Sequence, residues 1–234
     1  MSNPDLHSLP RLERSRYQAF AAVHWTMKVE PAIPGWLTAN FHQDFRMLLL
    51  HACARERLFC PAYCLMPDHL HLMWLGLSLE SDQLNGVKFM RTYLNRLLKG
   101  NLLENRGKFA GKTFAVDSRP RPQNQARGLV RENKAGSAVN SRLRPQVGWK
   151  LQSQAHDHVL REEERKHNAF ARVCFYILAN PMRAELVEHE TEWPFSGAVV
   201  PGYPDLYPFQ EDYWELFWKI YYQQREPMPV EPAK

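Results

Sequence analysis

Two histidines one residue apart, His69 and His71, and a tyrosine followed four positions later by an asparagine, Tyr176 and Asn180, are the side chains of this sequence best placed to do chemistry. In an extended strand alternate residues share a face, so His69-Leu70-His71-Leu72-Met73-Trp74 aims both imidazoles one way and leaves Leu70, Leu72 and Trp74 to pack on the other. In a helix, positions four apart are surface neighbours about 5 to 6 Å apart at Cβ, so the phenol and the carboxamide stand side by side. Two imidazoles and an amide oxygen suit a divalent ion, and such an ion can polarise a phosphate beside a phenol that attacks it. An ordinary tyrosine hydroxyl, with a pKa near 10, needs such help to act as a nucleophile at neutral pH. Each half also has a plainer reading: a hydrogen-bonded histidine pair on a half-exposed strand, and a core-edge aromatic with a helix-end asparagine before Pro181.

The elements that must carry these residues are legible around them. Ala22 to Glu30 (AVHWTMKVE) has the β-branched and aromatic character of a strand, ended by Pro31 and Pro34-Gly35. From Trp36 to about Arg55, Leu37, Phe41, Phe45, Leu48, Leu49 and Ala52 recur at helical spacing. Leu58 to Leu65 and His69 to Leu77 flank Met66-Pro67-Asp68 and read as a β-hairpin. Ser81 is the expected cap of a second helix with the stripe Leu84, Val87, Leu94, Leu97 and Leu98, stopped at Gly100. Its outer face carries Lys88, Arg91, Arg96 and Lys99, suited to phosphate contacts or to simple solvation. Lys150 to Leu160 reads as a last strand and Glu162 onward as a helix closed by Pro181, with Phe170, Val173, Cys174 and Ile177 as its core stripe and Tyr176 and Asn180 along the margin.

Strand, helix, strand, strand, helix, strand, helix predicts an α+β protein: a ferredoxin-like or RRM-like antiparallel sheet of four to five strands with helices on one face. We expect one domain over 1–234, with a core of about 17–100 and 149–198, a basic insertion at 101–148 and an aromatic extension at 199–234 whose Tyr213, Trp214, Phe217, Trp218, Tyr221 and Tyr222 form an amphipathic helix packed back on the core. The chain has 234 residues, 44% of them apolar, and a net charge of +5. Residues 101–150 hold eleven Lys or Arg against three Asp or Glu, +8, which leaves −3 elsewhere. That stretch, rich in Gly, Pro, Asn, Gln and Ser, is expected to be mobile, and its Arg119, Arg121, Arg127, Arg131, Arg142 and Arg144 are candidate contacts to a phosphodiester backbone. No run of about 18 apolar residues occurs and the start is polar, so the expected location is the cytoplasm, with no membrane partner. Cys53, Cys60, Cys64 and Cys174 lack zinc-knuckle spacing and read as reduced thiols, although Cys60 and Cys64 ahead of His69 and His71 leave a mixed zinc site open.

Five segments, AYCLMPDHLHLMW, KFMRTYLNRLL, HDHVLREEE, YILANPMRAELV and EWPFSG, run in order between about residues 58 and 198 and resemble the single-tyrosine HUH transposases, within them the REP-associated tyrosine transposases. The resemblance implies the HUH endonuclease fold with an extra C-terminal catalytic helix, magnesium or manganese held by His69, His71 and Asn180, and Tyr176 as the nucleophile. It further implies single-stranded or hairpin DNA as substrate, a 5′-phosphotyrosine intermediate, and a monomer or homodimer. Glu185 departs from the glycine usual at that point in the family, and the basic stretch is longer than usual. Two other functions compete. An RNA-recognition-type binder shares the element order but not the aromatic K/R-G-F/Y strand, and a metal-dependent hydrolase attacking with water would need the histidines but not Tyr176.

Overall fold

The computed structural model describes residues 11–32, 35–99, 148–166 and 168–227. In chain order the elements are β1 (Ala22–Glu30), α1 (Ala39–Glu56), β2 (Leu58–Leu65), β3 (His69–Gly76), α2 (Gln83–Leu98), β4 (Lys150–Leu151), β5 (His156–Val159), α3 (Glu162–Lys166), α4 (Ala169–Leu178), α5 (Asn180–Arg183), β6 (Ser196–Val199) and α6 (Tyr213–Gln224). The architecture is α+β, built on an antiparallel sheet in which β1 pairs β3, β3 pairs β2 and β2 pairs β6, while β4 and β5 both pair β1. No helix among the described residues is long and apolar enough to cross a membrane.

Alternation along the central strands divides the core in two. Val23, Trp25, Met27 and Val29 of β1 join Leu70, Leu72 and Trp74 of β3 on the face covered by α1 and α2. Ala22 of β1 and Met73 and Leu75 of β3 point to the opposite face, where Phe170, Cys174 and Ile177 of α4 and Tyr213, Phe217 and Tyr221 of α6 meet them. Each large side chain so removed from water contributes roughly 1.5–3 kcal/mol, and both layers are needed because β2 is buried along its whole length. The aromatic helix expected after residue 199 is α6; Tyr213 and Tyr221 donate hydrogen bonds from their hydroxyls to the carbonyls of Pro61 and Gly76.

Three of the anticipated elements differ in their details from the sequence reading. The cap of α2 is Asp82, whose carboxylate accepts from the Asn85 N–H at 3.0 Å, whereas the Ser81 hydroxyl accepts from the N–H groups of Leu77 and Ser78 and donates to the Arg57 carbonyl. Ser81 therefore locks the turn leaving β3, and the next residue reaches the helix end. The single strand expected over Lys150 to Leu160 is two stretches: Val29 pairs Leu151 and Thr26 pairs His156, so three steps on β1 match five on its partner and the two extra residues bulge outward. The expected single helix from Glu162 to Asn180 is broken at Asn168, which adopts a left-handed φ of 58°, and again at Ala179.

β6 was not anticipated. It pairs with β2 beside a register shift between Phe59 and Ala62, where Pro61 has no N–H to give the ladder. Gly197 is required there, since a Cβ would stand 2.7 Å from the Tyr63 hydroxyl. The same shift turns Cys60 into the α1 layer and Cys64 into the α4 layer, so the mixed zinc site fails on geometry. Burial pushes all four thiols up, and they stay protonated. The basic candidates at 101–148, including Arg119, Arg121, Arg127, Arg131, Arg142 and Arg144, lie outside the described residues.

Candidate active site on the second sheet face

The parity of β3 that buries Leu70, Leu72 and Trp74 under α1 and α2 sends His69 and His71 to the other face, at the end of the sheet that α4 reaches. Their Nε2 atoms converge to 3.0 Å with the rings perpendicular at 89°. His69 donates from Nδ1 to the Asp68 carboxylate at 2.6 Å, which leaves Nε2 with its lone pair. The Nδ1 atom of His71 lies 3.1 Å from Thr26 Oγ1 and 2.9 Å from His24 Nε2, the two acceptors that β1 places beside it. With its proton there, His71 too presents a bare Nε2. Two lone pairs facing each other at this separation match one edge of an octahedron whose metal–nitrogen bonds are about 2.1 Å. The residues present therefore fit a divalent ion. Among the described residues no three His, Cys, Asp or Glu side chains form a ready cage, so an amide, water or phosphate oxygens must complete the shell.

Burial sets the charge state of the cluster. His71 is 5% exposed, and desolvation, reinforced by His24 and His69, pushes its pKa down to about 3. Desolvation also brings His24 down to about 4, with His158 adding to the effect. Both are neutral imidazoles near pH 7, the form a metal requires.

α4 brings the phenol. Its buried stripe is Phe170, Cys174 and Ile177, so Tyr176 falls at the margin and remains 41% exposed. The ring stands edge-on to His71 at 5.9 Å and to His24 at 6.1 Å between centroids. From α5 the Arg183 guanidinium lies over the same ring, 5.3 Å from its centroid. β3 and α4 thus bring His69, His71 and Tyr176 to one place.

Asn180 behaves differently from the helical neighbour expected. The chain breaks at Ala179 because Pro181 offers no N–H to the Ile177 carbonyl, and the Asn180 amide nitrogen takes over, donating to Tyr176 O at 2.8 Å and Ile177 O at 3.5 Å. Its NH2 is committed to its own backbone, and Oδ1 is the atom left for a ligand. The basic residues proposed on α2 are not brought to this site, since α2 packs on the opposite face of the sheet. Lys88, Arg96 and Lys99 are exposed, and Arg96 lies over the Tyr93 ring. Arg91 does not face outward as a free cation: its guanidinium donates to the carbonyls of Gln152 and Ser153 and pins the bulge between β4 and β5 to α2.

His24, Thr26, Asp68 and Arg183 are the members that sequence reasoning missed. His24 and Thr26 share the strand parity of an apolar-alternating segment, which gives a face but not a partner; only the β1–β3 register, Thr26 opposite His71, makes them neighbours of the site. His158 pairs in register with His24 and bonds Glu164, while Asp157 accepts from the Tyr17 hydroxyl on the other face and helps burial raise that phenol to about 12.

Fold and site together define a class: an antiparallel α+β sheet with helices on both faces and an imidazole–phenol cluster at one end of the second face. Among solved structures, the chain is similar to a REP-associated tyrosine transposase bound to a REP hairpin, at 14% identity and a TM-score of 0.49, over 82% of each chain. No protein-family model matches the chain, and no curated protein does.

Proposed function

We propose that this protein is a metal-dependent DNA strand-transfer endonuclease, acting on single-stranded or hairpin DNA through a covalent link to Tyr176. One observation carries the reading: a half-exposed phenol stands against an imidazole whose Nε2, with that of its neighbour, forms a 3.0 Å pair of lone-pair donors. His69 and His71, with the amide oxygen of Asn180, would hold magnesium or manganese. When bound, the ion draws charge from a non-bridging phosphate oxygen.

The remaining work falls to the chain. Tyr176 is mounted on a helix packed into the core, so its hydroxyl is presented without a mobile loop. The bond from its oxygen to phosphorus forms as the bond from phosphorus to the 3′ oxygen breaks; the phenolic proton is lost to water and the departing oxygen takes one back. One phosphodiester replaces another, so a later 3′-OH can reseal the strand without ATP. The imidazoles and the phenol belong to one chain, so a monomer carries a whole site and a homodimer two. The basic stretch 101–148 is proposed to add affinity for the phosphate backbone and not to take part in cleavage, and the expected location is the cytoplasm.

Purified protein, mixed with manganese or magnesium and a hairpin oligonucleotide bearing a single-stranded flank, should yield a complex that survives denaturing electrophoresis, and Tyr176→Phe should abolish it. Release of free 5′-phosphate ends that persists in Tyr176→Phe would instead identify a hydrolase, and binding without strand scission a nucleic-acid binder. Deleting 101–148 should weaken binding and flatten its salt dependence while leaving the covalent complex; an unchanged salt slope would remove that part of the proposal.

A further inference from the structure

Arg183 belongs to neither the histidine pair nor the tyrosine–asparagine spacing, yet its guanidinium rests on the ring of Tyr176. It is exposed, and among the described residues no carboxylate forms an ion pair with it. A cation on an exposed phenol face adds little to stability, so the fold gains little from this placement.

The backbone nevertheless fixes it firmly. Pro181 ends α4, and the Asn180 side chain satisfies the carbonyls left open by the break. The Arg183 N–H then donates to Ala179 O at 3.0 Å. Beyond it, Glu185 N–H donates to Met182 O and Leu186 N–H to Pro181 O, the paired bonds of a Schellman turn. The one-turn helix α5 is thereby held between two stops, with Arg183 directed back at the phenol two turns earlier.

We propose that Arg183 is a further catalytic residue: its guanidinium grips the phosphate that Tyr176 attacks and keeps hold of it in the phosphotyrosyl product. The inference rests on the strand-transfer reading. A phosphate bonded to the phenol oxygen stands just beyond the ring edge, within the sweep of an arginine already lying on that ring. The planar fork of guanidinium N–H donors matches two non-bridging oxygens at once, which a lysine ammonium does not. A guanidinium exchanges no proton in such a step, so its proton balance is unchanged, and the positive charge counters the negative charge that gathers on the phosphorane.

This grip is separate from the one assigned to the imidazoles. His71 is buried and acts, with His69, through an ion, whereas Arg183 is exposed and acts directly.

The test is the rate of covalent complex formation with the hairpin oligonucleotide. Arg183→Gln should slow it roughly 10- to 100-fold, as expected for loss of a charged hydrogen-bonding partner, and Arg183→Lys should recover part of the rate. Replacing the scissile phosphate by a methylphosphonate removes one charged oxygen and supplies the second readout. In both diastereomers the penalty of Arg183→Gln should shrink, because each replaces one of the two oxygens the fork grips and removes the negative charge with it. An unchanged rate in Arg183→Gln, or penalties that multiply in both diastereomers, would overturn the inference and leave the Tyr176 reaction intact. A wild-type protein that forms no Tyr176-dependent complex would remove the underlying reading and this inference with it.

Discussion

Three histidines are held neutral by the fold, and this makes the protein sensitive to mild acid. Burial is the leading cause in each: His24 and His42 are brought down to about 4 and His71 to about 3, from an ordinary value of 6.5. Because the folded values lie below the unfolded one, the stabilisation is complete above pH 6.5. It is lost as pH falls and the unfolded chain takes protons that the native chain refuses. The loss runs down to about pH 4 for His24 and His42 and to about pH 3 for His71. One pH unit is worth about 1.4 kcal/mol per group, so at pH 5 each histidine has lost about 2 kcal/mol. Three independent groups give about 6 kcal/mol, and about 4 if His24 and His71, in contact through Nε2 and Nδ1, share one proton. Against a typical stability of about 5–15 kcal/mol, either figure threatens the fold. Urea unfolding followed by tryptophan fluorescence at pH 7.5, 6 and 5 should show the midpoint falling at each step, in a window above the ordinary carboxylate range. His42 contacts Tyr63 in the α1 layer, away from the proposed site, so His42→Gln should remove about one proton from the slope without touching the chemistry. Equal stability at pH 7.5 and 5, or the same slope in His42→Gln, would refute the argument.

Two further outcomes are expected. His24→Ala takes from His71 one of the two acceptors that fix its Nδ1 proton, and manganese binding measured by calorimetry should weaken about tenfold; an unchanged affinity would show that Thr26 alone orients the ring. Glu185 holds φ at 56° in the turn that closes α5, so Glu185→Gly should raise stability by about 0.5–1 kcal/mol, less than the full left-handed penalty because glycine loses more backbone freedom on folding. A thermal midpoint that stays level or falls would contradict the strain assigned there.

What could be read from the sequence is what local chemistry decides. The hairpin, β1 and α6 were legible because alternation or helical spacing is strong in each, and the shared face of His69 and His71 follows from parity alone. Glu185 could be singled out only as an odd residue at its position; its left-handed φ explains why glycine would suit that turn. The positions that were misread depend on partners far along the chain. Arg91 looked like any outward cation until the bulge after β4 brought two carbonyls to it, and β6 is four residues of weak pattern defined by pairing with β2. His24 needed the register of β1 against β3, which no spacing in its own segment encodes.

The two faces of the sheet divide the labour in a way that bears on the proposed DNA substrate. One face is closed by α1 and α2, and the basic side chains left outside it, Lys88, Arg96 and Lys99, look away from Tyr176. The other face is closed by α4 and α6 and carries the phenol, the imidazoles and Arg183. A strand bound at the phenol, as proposed, would meet Arg183 and the exposed Lys28, whose Cα lies opposite His69 in the β1–β3 register, before it could meet anything on α2. Contacts on α2 require the DNA to pass around an edge of the sheet, so affinity from that helix and chemistry at Tyr176 should be separable by mutation.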